Sequence, residues 1–224
     1  SAGSPNSYFF IIADEDGTEV EITPTADILD SVSIANIETS ANVKYSAASG
    51  SFLVTLNKNQ VFNAIGPLLS GYGVDLSGTT VRSTNCKKIA VFAGNGRNGI
   101  GSDLCSYTTG AGTDNLVQQM FPKVAWGTKY YTTPTKHMEY NTYRITVDDP
   151  ATQVWVNKSS NPTALTNLDA THKFYEIYTN QASVIEADKP ISVTQFISSE
   201  SCASNEAIGN NGQGDPEMII ISPA

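Results

Sequence analysis

The sequence predicts an all-β protein made of two similar antiparallel β-sandwich-like lobes, with one short helix in the insert that connects them. Many short runs alternate apolar and polar residues and are separated by Gly, Asn, Asp and Pro, which is the pattern of antiparallel sheets. Blocks near the start resemble, in the same order, blocks near the end, as expected for a weak internal duplication. The predicted limits are 1–95 for the first lobe, 96–140 for the insert and 141–224 for the second lobe. One compact unit overall is the alternative.

The first lobe opens with a predicted hairpin in "YFFIIADEDGTEVEI". A polar turn around Gly17 separates two strands, and in the second of them Val20 and Ile22 alternate with Glu19 and Glu21, so one face is buried. Further strand-length runs follow in both lobes: SFLVTL, VFNAIG, TTVRS and KIAVFAG in the first, then TYRITVDD, TQVWVN, KFYEIYT, ASVIEA, ISVTQFIS and EMIIIS in the second.

The duplication is drawn from three aligned blocks. Residues 13–22 align with 147–156, and this places Thr18 on Thr152 and Val20 on Val154. Two more blocks keep the same order: 52–59 resembles 174–181, and 86–94 resembles 188–196. Because three pairs occur in one order, the sequence favours two similar lobes over chance likeness between strands.

The insert contains a Gly-, Asn- and Ser-rich loop followed by "TDNLVQQMFPKVAWGTKYYT" at 113–132. Asn115 and Gln118 have the spacing of a capping box, and Pro122 stops helix propagation. Leu116, Val117 and Met120 would share one helical face. The segment therefore predicts an amphipathic helix of about two turns docked on a sheet, because so short a helix is not stable alone.

Composition limits the classes of function. Thirteen Lys and Arg against 22 Asp and Glu give a net charge of -9, which disfavours nucleic-acid binding. The longest apolar runs are of strand length, so no membrane span is expected. The absence of a starting Met suggests that Ser1 opens a piece of a larger multidomain chain.

Three cysteines, Cys86, Cys105 and Cys202, allow one internal disulfide and leave one thiol over. Their spacing does not fit a zinc or redox site. Free buried thiols are the alternative, and the sequence leaves open which two would pair.

Two motifs suggest bound groups. "GNGRNG" at 94–99 matches a dinucleotide fingerprint, but no helical pattern follows it, so a loop is the better interpretation. The acidic turns supply Asp14, Asp16, Asp148 and Asp149 as candidates for an irregular calcium site. Plain hairpin turns are the favoured alternative, and we expect no cofactor.

No pattern for catalysis is found. His137 and His172 lie far apart, no G-x-S-x-G elbow occurs, and adjacent carboxylates on a turn point in different directions. We therefore expect a protein that is not an enzyme. The Gly-rich loop is the expected contact surface, with Arg97, Asn98 and Tyr107 as candidate ligand-binding residues. Trp126 and Trp155 would either stack on sugars or pack half-buried.

Several segments together resemble a known family, the N-terminal domain family of the IgG Fc-binding protein. These are "VDLSGTTVRS", "KKIAVFAGN", "TDNLVQQMFPKVAWGTKYYT", "YRITVDDPATQVWVN", "ADKPISVTQFISS" and "GDPEMIIISP", and the resemblance runs from about Phe9 to Pro223. The most specific match is Asp114, Leu116, Gln118, Gln119, Pro122, Trp126 and Gly127. Thr113 stands where the mammalian branch commonly has Cys, so the acidic, cysteine-poor chain is more similar to bacterial, Bacteroidetes-type cell-surface members.

The resemblance implies a non-catalytic, extracellular adhesion or interaction module of a large cell-surface protein. Its expected partner is a host or neighbouring-cell surface protein or glycan, bound through surface loops without membrane insertion. A structural stalk with no ligand of its own, or a calcium-dependent carbohydrate-binding domain, is the alternative.

Overall fold

The computed structural model describes residues 5–29, 43–101, 113–136, 138–158, 165, 168, 173–199, 202 and 215–224. The chain forms two compact units. The first comprises Ser1–Arg97 with Val117–Met120, and the second comprises Asn98–Leu116 with Phe121–Ala224. Within the described ranges, no helix is long and apolar enough to cross a membrane.

The prediction of an all-β fold is confirmed, because strands dominate both units and the strand pairs among the described residues are antiparallel. In chain order the described strands are β1 (Ser7–Ala13), β2 (Thr18–Thr23), β3 (Ile28–Leu29), β4 (Val43–Tyr45), β5 (Phe52–Leu56), β6 (Val61–Ile65), β7 (Leu68–Leu69), β8 (Tyr72–Gly73), β9 (Thr80–Ser83), β10 (Ile89–Asn98), β11 (Asp114–Gln119), β12 (Gly127–Thr132), β13 (Asn141–Val147), β14 (Val154–Val156), β15 (Phe174–Thr179), β16 (Ser183–Ile197) and β17 (Glu217–Ile221). Short 3₁₀ turns occupy Ala47–Ser49 and Lys123–Ala125.

The first unit contains a smaller sheet of order β5-β2-β9 and, apart from Asn98 and residues 114–116, a sheet of order β11-β10-β1-β6-β3-β4. Alternate residues of β1 and β2 enter one core, in which Ile11, Val20 and Ile22 are fully buried. The two predicted strands and the turn around Gly17 are therefore correct, but the predicted hairpin is wrong. Strand β1 pairs with β10 and β6, whereas β2 pairs with β5 and β9 in the smaller sheet. Alternation within two consecutive strands does not show whether they pair with each other or pack face to face.

The second unit has the order β12-β16-β13-β15, and β14 and β17 also pair with the long strand β16. Its core is formed by alternate residues of β13 and β16 together with a buried tyrosine of β12, including Tyr143, Ile145, Ile185, Val193 and Tyr130.

The two units repeat one strand arrangement in register. Strand β1 lies between β10 and β6, and β13 lies between β16 and β15. Ile11 is opposite Val91 and Phe62. Its counterpart Ile145 is opposite Val193 and Tyr175. All four pairings are antiparallel, and the agreement supports the duplication.

The acidic turns repeat the same contact. The hydroxyl group of Thr18 donates to the carbonyl oxygen of Glu15 at 2.6 Å. The aligned Thr152 donates to the carbonyl oxygen of Asp149 at the same distance. Two threonines that align in sequence therefore close two equivalent turns.

The middle block of the sequence alignment is wrong. Residues 52–56 form β5, which pairs with β2 in the smaller sheet of the first unit. Residues 174–179 form β15, which pairs with β13 and corresponds to β6. The error arises because alternating β-strands resemble one another whatever their place in a sheet.

The predicted helix in the insert is also wrong, because Asp114–Gln119 form strand β11 beside β10. The next residue, Met120, donates its backbone N–H to the carbonyl oxygen of Val91. Ile221 of β17 lies opposite Val193 in the same way, so β11 and β17 are the matching last strands of the two repeats. The edge of β10 offers backbone N–H and C=O groups with which a neighbouring strand can pair. This pairing stabilises a strand, whereas a helix of two turns is not stable in water by itself.

One structural difference separates the repeats around Cys86. The single strand β16 of the second unit takes the place of both β9 and β10 of the first unit. Residues 84–88 stand where residues 188–190 stand in the second unit, which makes the first unit two residues longer here. Cys86 adopts a φ of 62° in this interruption.

Candidate interaction surface

The candidate ligand-binding residues of the Gly-rich loop are placed only in part. Arg97 and Asn98 are the last two residues of β10, and the Arg97 side chain is exposed. The backbone N–H of Arg97 donates to Asn95 Oδ1 at 2.9 Å, so the strand end is held by an Asn side chain. Tyr107 lies outside the described residues. Ligand binding by these three residues stays a prediction.

The cysteines differ in state. Cys86 is a free, exposed thiol, whereas Cys202 takes part in a disulfide and is fully buried. Cys105 lies outside the described residues. Cys86 is therefore not one of the two paired cysteines, and this agrees with the expectation that one disulfide leaves one thiol over.

The calcium candidates form ordinary turn contacts. Asp16 Oδ1 accepts the backbone N–H of Lys58 at 2.9 Å. Asp148 forms an ion pair with Lys123. Asp149 forms one with Lys189, and the hydrogen bond from that lysine lowers the pKa of the Asp149 carboxyl group. Among the described residues no group of three or more His, Cys, Asp or Glu is arranged to hold a metal ion.

Residues 121–126, which we call the signature turn, lie on the surface of the second unit. Val124 is 94% exposed and Phe121 is 38% exposed. The turn is held by backbone bonds from Ala125 to Pro122 and from Trp126 to Lys123. Lys123 of the turn forms an ion pair with Asp148. The indole Nε1–H of Trp126 donates a hydrogen bond to the carbonyl oxygen of Phe121. The turn is thus an ordered support for exposed apolar side chains.

Gly127, which follows the signature turn, has a packing role. A Cβ atom at this position would lie 2.3 Å from Pro223 Cβ, closer than two carbon atoms can pack. The backbone N–H of Ala224 then donates to the carbonyl oxygen of Lys129 at 3.0 Å. Gly127 therefore accommodates the chain segment that follows β17.

A second exposed feature lies on β12, β16 and β14 and is called here the aromatic face. Lys129 and Trp155 both lie directly opposite Glu186, and Tyr131 lies opposite Val184. The neighbouring residues Tyr130, Ile185 and Val156 alternate with these and turn to the other side of the sheet, where Tyr130 and Ile185 belong to the core. Tyr131 is 60% exposed and Trp155 is half-buried.

Charged groups surround both rings of the aromatic face. Lys129 Nζ lies 3.4 Å from Glu186 Oε1 and 5.6 Å from the centroid of the Tyr131 ring. Tyr131 and then Glu186 raise the pKa of the Lys129 ammonium group. Lys158 Nζ lies 4.0 Å from the centroid of the Trp155 ring, a distance at which a cation is attracted to the ring.

Sequence reasoning identified one member of this face, Trp155, as a candidate for sugar stacking. It missed Lys129, Tyr131, Glu186 and Lys158. Period-two alternation shows that Lys129 and Tyr131 share a side of β12, but only the pairing register brings Glu186 between them and Trp155.

A family model described as IgGFc binding protein matches residues 1–224, which is the full length of the chain. Neither a search of curated proteins nor a search of solved structures returned a match. The family is of a non-enzymatic, protein-binding type and is typically extracellular. Since the match covers every residue, the chain belongs to the IgGFc binding protein family.

Proposed function

We propose that this chain is a non-catalytic adhesion module of a bacterial cell-surface protein, and that it binds a partner protein through the signature turn. The observation that carries the proposal is the exposure of Val124 and Phe121 on an ordered turn. The family supports protein binding in general.

The physical argument rests on order and exposure together. Apolar side chains held in one geometry lose little conformational entropy on binding, so more of the interaction free energy appears as affinity. The bonds within the turn and the Lys123–Asp148 ion pair supply that order. In a structural spacer without a ligand, an exposed Val124 would have no function. Its exposure therefore favours the binding module over the spacer.

The experiment uses the purified chain on an array of extracellular and cell-surface proteins, with immunoglobulin Fc included because the family description refers to it. We expect saturable binding to at least one protein. Val124→Asp should weaken that binding at least tenfold, because a carboxylate would be buried in the contact.

Leu69→Asp is the matched control, since Leu69 is also an exposed apolar residue, at 60%, in the β7–β8 hairpin of the first unit. It should leave binding unchanged. Absence of saturable binding across the array favours the spacer. Equal losses in both variants would show that the signature turn is not the contact.

A further inference from the structure

We propose that the aromatic face of the second unit binds an acidic glycan, that is, a sugar chain carrying carboxylate groups. The face consists of Lys129, Tyr131, Trp155, Val184 and Glu186, with Lys158 over the Trp155 ring. This site is additional to the protein contact at the signature turn and does not depend on it.

The two rings provide flat apolar contact surface, although Lys158 Nζ lies over one side of the Trp155 ring. Tyr131 and Trp155 stand on β12 and β14, which flank β16, so two strand spacings of about 5 Å each separate their backbones. Both rings share the side of the sheet that faces away from Tyr130 and Ile185 of the core. Binding sites for small ligands combine such ring surfaces with a few placed polar groups.

The polar groups between the rings suit a sugar. Glu186 can accept hydrogen bonds from hydroxyl groups, and the ammonium groups of Lys129 and Lys158 can donate them. Within the residues that define the face, two ammonium groups stand against the one carboxylate of Glu186, whereas the net charge of the whole chain is -9. Charge complementarity therefore favours an anionic ligand at this place.

The centre of the face argues for a glycan and against a protein surface. The Lys129–Glu186 ion pair lies at this centre, and its side chains are 45% and 32% exposed, so both charged groups stay hydrated. Protein contacts concentrate their free energy in desolvated centres that are depleted of charge. Sugar hydroxyl groups, in contrast, can replace water on an ion pair.

The first unit provides an internal comparison. Glu21 and Arg82 are the register counterparts of Trp155 and Glu186, and they form a simple ion pair at 2.7 Å. The same strand arrangement is thus built without an aromatic ring at this position. The strand arrangement therefore does not require Trp155. This indicates that Trp155 has a role specific to the second unit.

The test begins with a glycan array that carries neutral, uronate-containing and sialylated oligosaccharides. The strongest acidic hit is then titrated calorimetrically beside its methyl ester, which has the same rings without the charge. We expect the acid to bind at least tenfold more tightly than the ester, and added salt to weaken the binding of the acid.

Two variants assign the site. Tyr131→Ala should lower affinity for both acid and ester at least tenfold, and Lys158→Gln should remove most of the preference for the acid. Tyr72→Ala is the matched control, because Tyr72 is an exposed tyrosine, at 79%, of the first unit. It should bind as the unaltered chain does, and far-ultraviolet circular dichroism checks that every variant is folded.

Several outcomes would overturn the glycan proposal. They are no acidic hit on the array, equal binding of acid and ester, and unchanged binding by Tyr131→Ala. Binding of an acidic peptide in place of a glycan at the same residues would overturn it too. Val124→Asp should leave glycan binding intact, so failure of the protein contact and failure of this site are distinguishable.

Discussion

Three tyrosines of the second unit donate hydrogen bonds from their hydroxyl groups to backbone carbonyl oxygens. Tyr130 donates to Ile191 at 2.5 Å, Tyr143 to Thr133 at 3.0 Å, and Tyr175 to Leu165 at 2.8 Å. Burial raises the pKa of each of these phenols. A buried phenol with a satisfied donor stabilises the fold only while it keeps its proton.

The second unit should therefore lose stability at alkaline pH. A folded-state pKa above the unfolded value of about 10 gives a contribution that is complete below that pH and disappears as pH rises through the folded pKa. Urea unfolding between pH 8 and 11 measures the loss. Tyr130→Phe should lower the unfolding free energy at pH 8 by about 1 kcal/mol and make the alkaline decline shallower. Tyr72→Phe, at an exposed position, should change neither.

At the scale of the element, β11 shows how a sheet edge decides secondary structure. Leu116 is 3% exposed and Val117 is 48% exposed, which is the alternation of a strand and not the shared face of a helix. The edge of β10 completes the assignment through the bond from Met120 to Val91.

Trp126, which follows, is half-buried, so Trp126→Ala should cost less than the 3 to 5 kcal/mol of a fully buried ring.

Alanine variants of adjacent residues test the strand. Leu116→Ala should cost about 2 to 5 kcal/mol because it empties a buried site. Val117→Ala should cost well under half as much, since nearly half of that side chain is already in water. Thermal and urea unfolding provide both values. Equal costs at the two positions would restore the helical interpretation, in which Leu116 and Val117 share one face.

At the scale of the whole molecule, two repeats of one strand arrangement carry different surfaces. The aromatic face belongs to the second repeat, and the interruption with the free thiol of Cys86 belongs to the first. Domain limits of 1–95, 96–140 and 141–224 remain a prediction, although the strands of the proposed insert are shared between the sheets of the two units.

The whole chain should contain one reactive thiol before reduction and three after it. The sequence holds three cysteines, Cys202 is bonded, and Cys86 is free. Thiol titration of the unfolded protein, with and without reductant, checks the count. Peptide mapping without reduction should recover Cys86 unlinked. Three thiols before reduction would remove the disulfide, and a peptide joining Cys86 to Cys202 would reverse the assignment.

The sequence by itself determined the all-β class, the first two strands with the turn between them, the duplication and the family, because alternation, turn residues and local motifs are recorded in neighbouring residues. The tertiary structure alone decided three other features. A free sheet edge made β11 a strand, the pairing register matched β15 to β6, and the same kind of register placed Glu186 between Lys129 and Trp155. Each depends on hydrogen bonds between residues far apart in the chain, and periodicity within one segment carries no information about its partner.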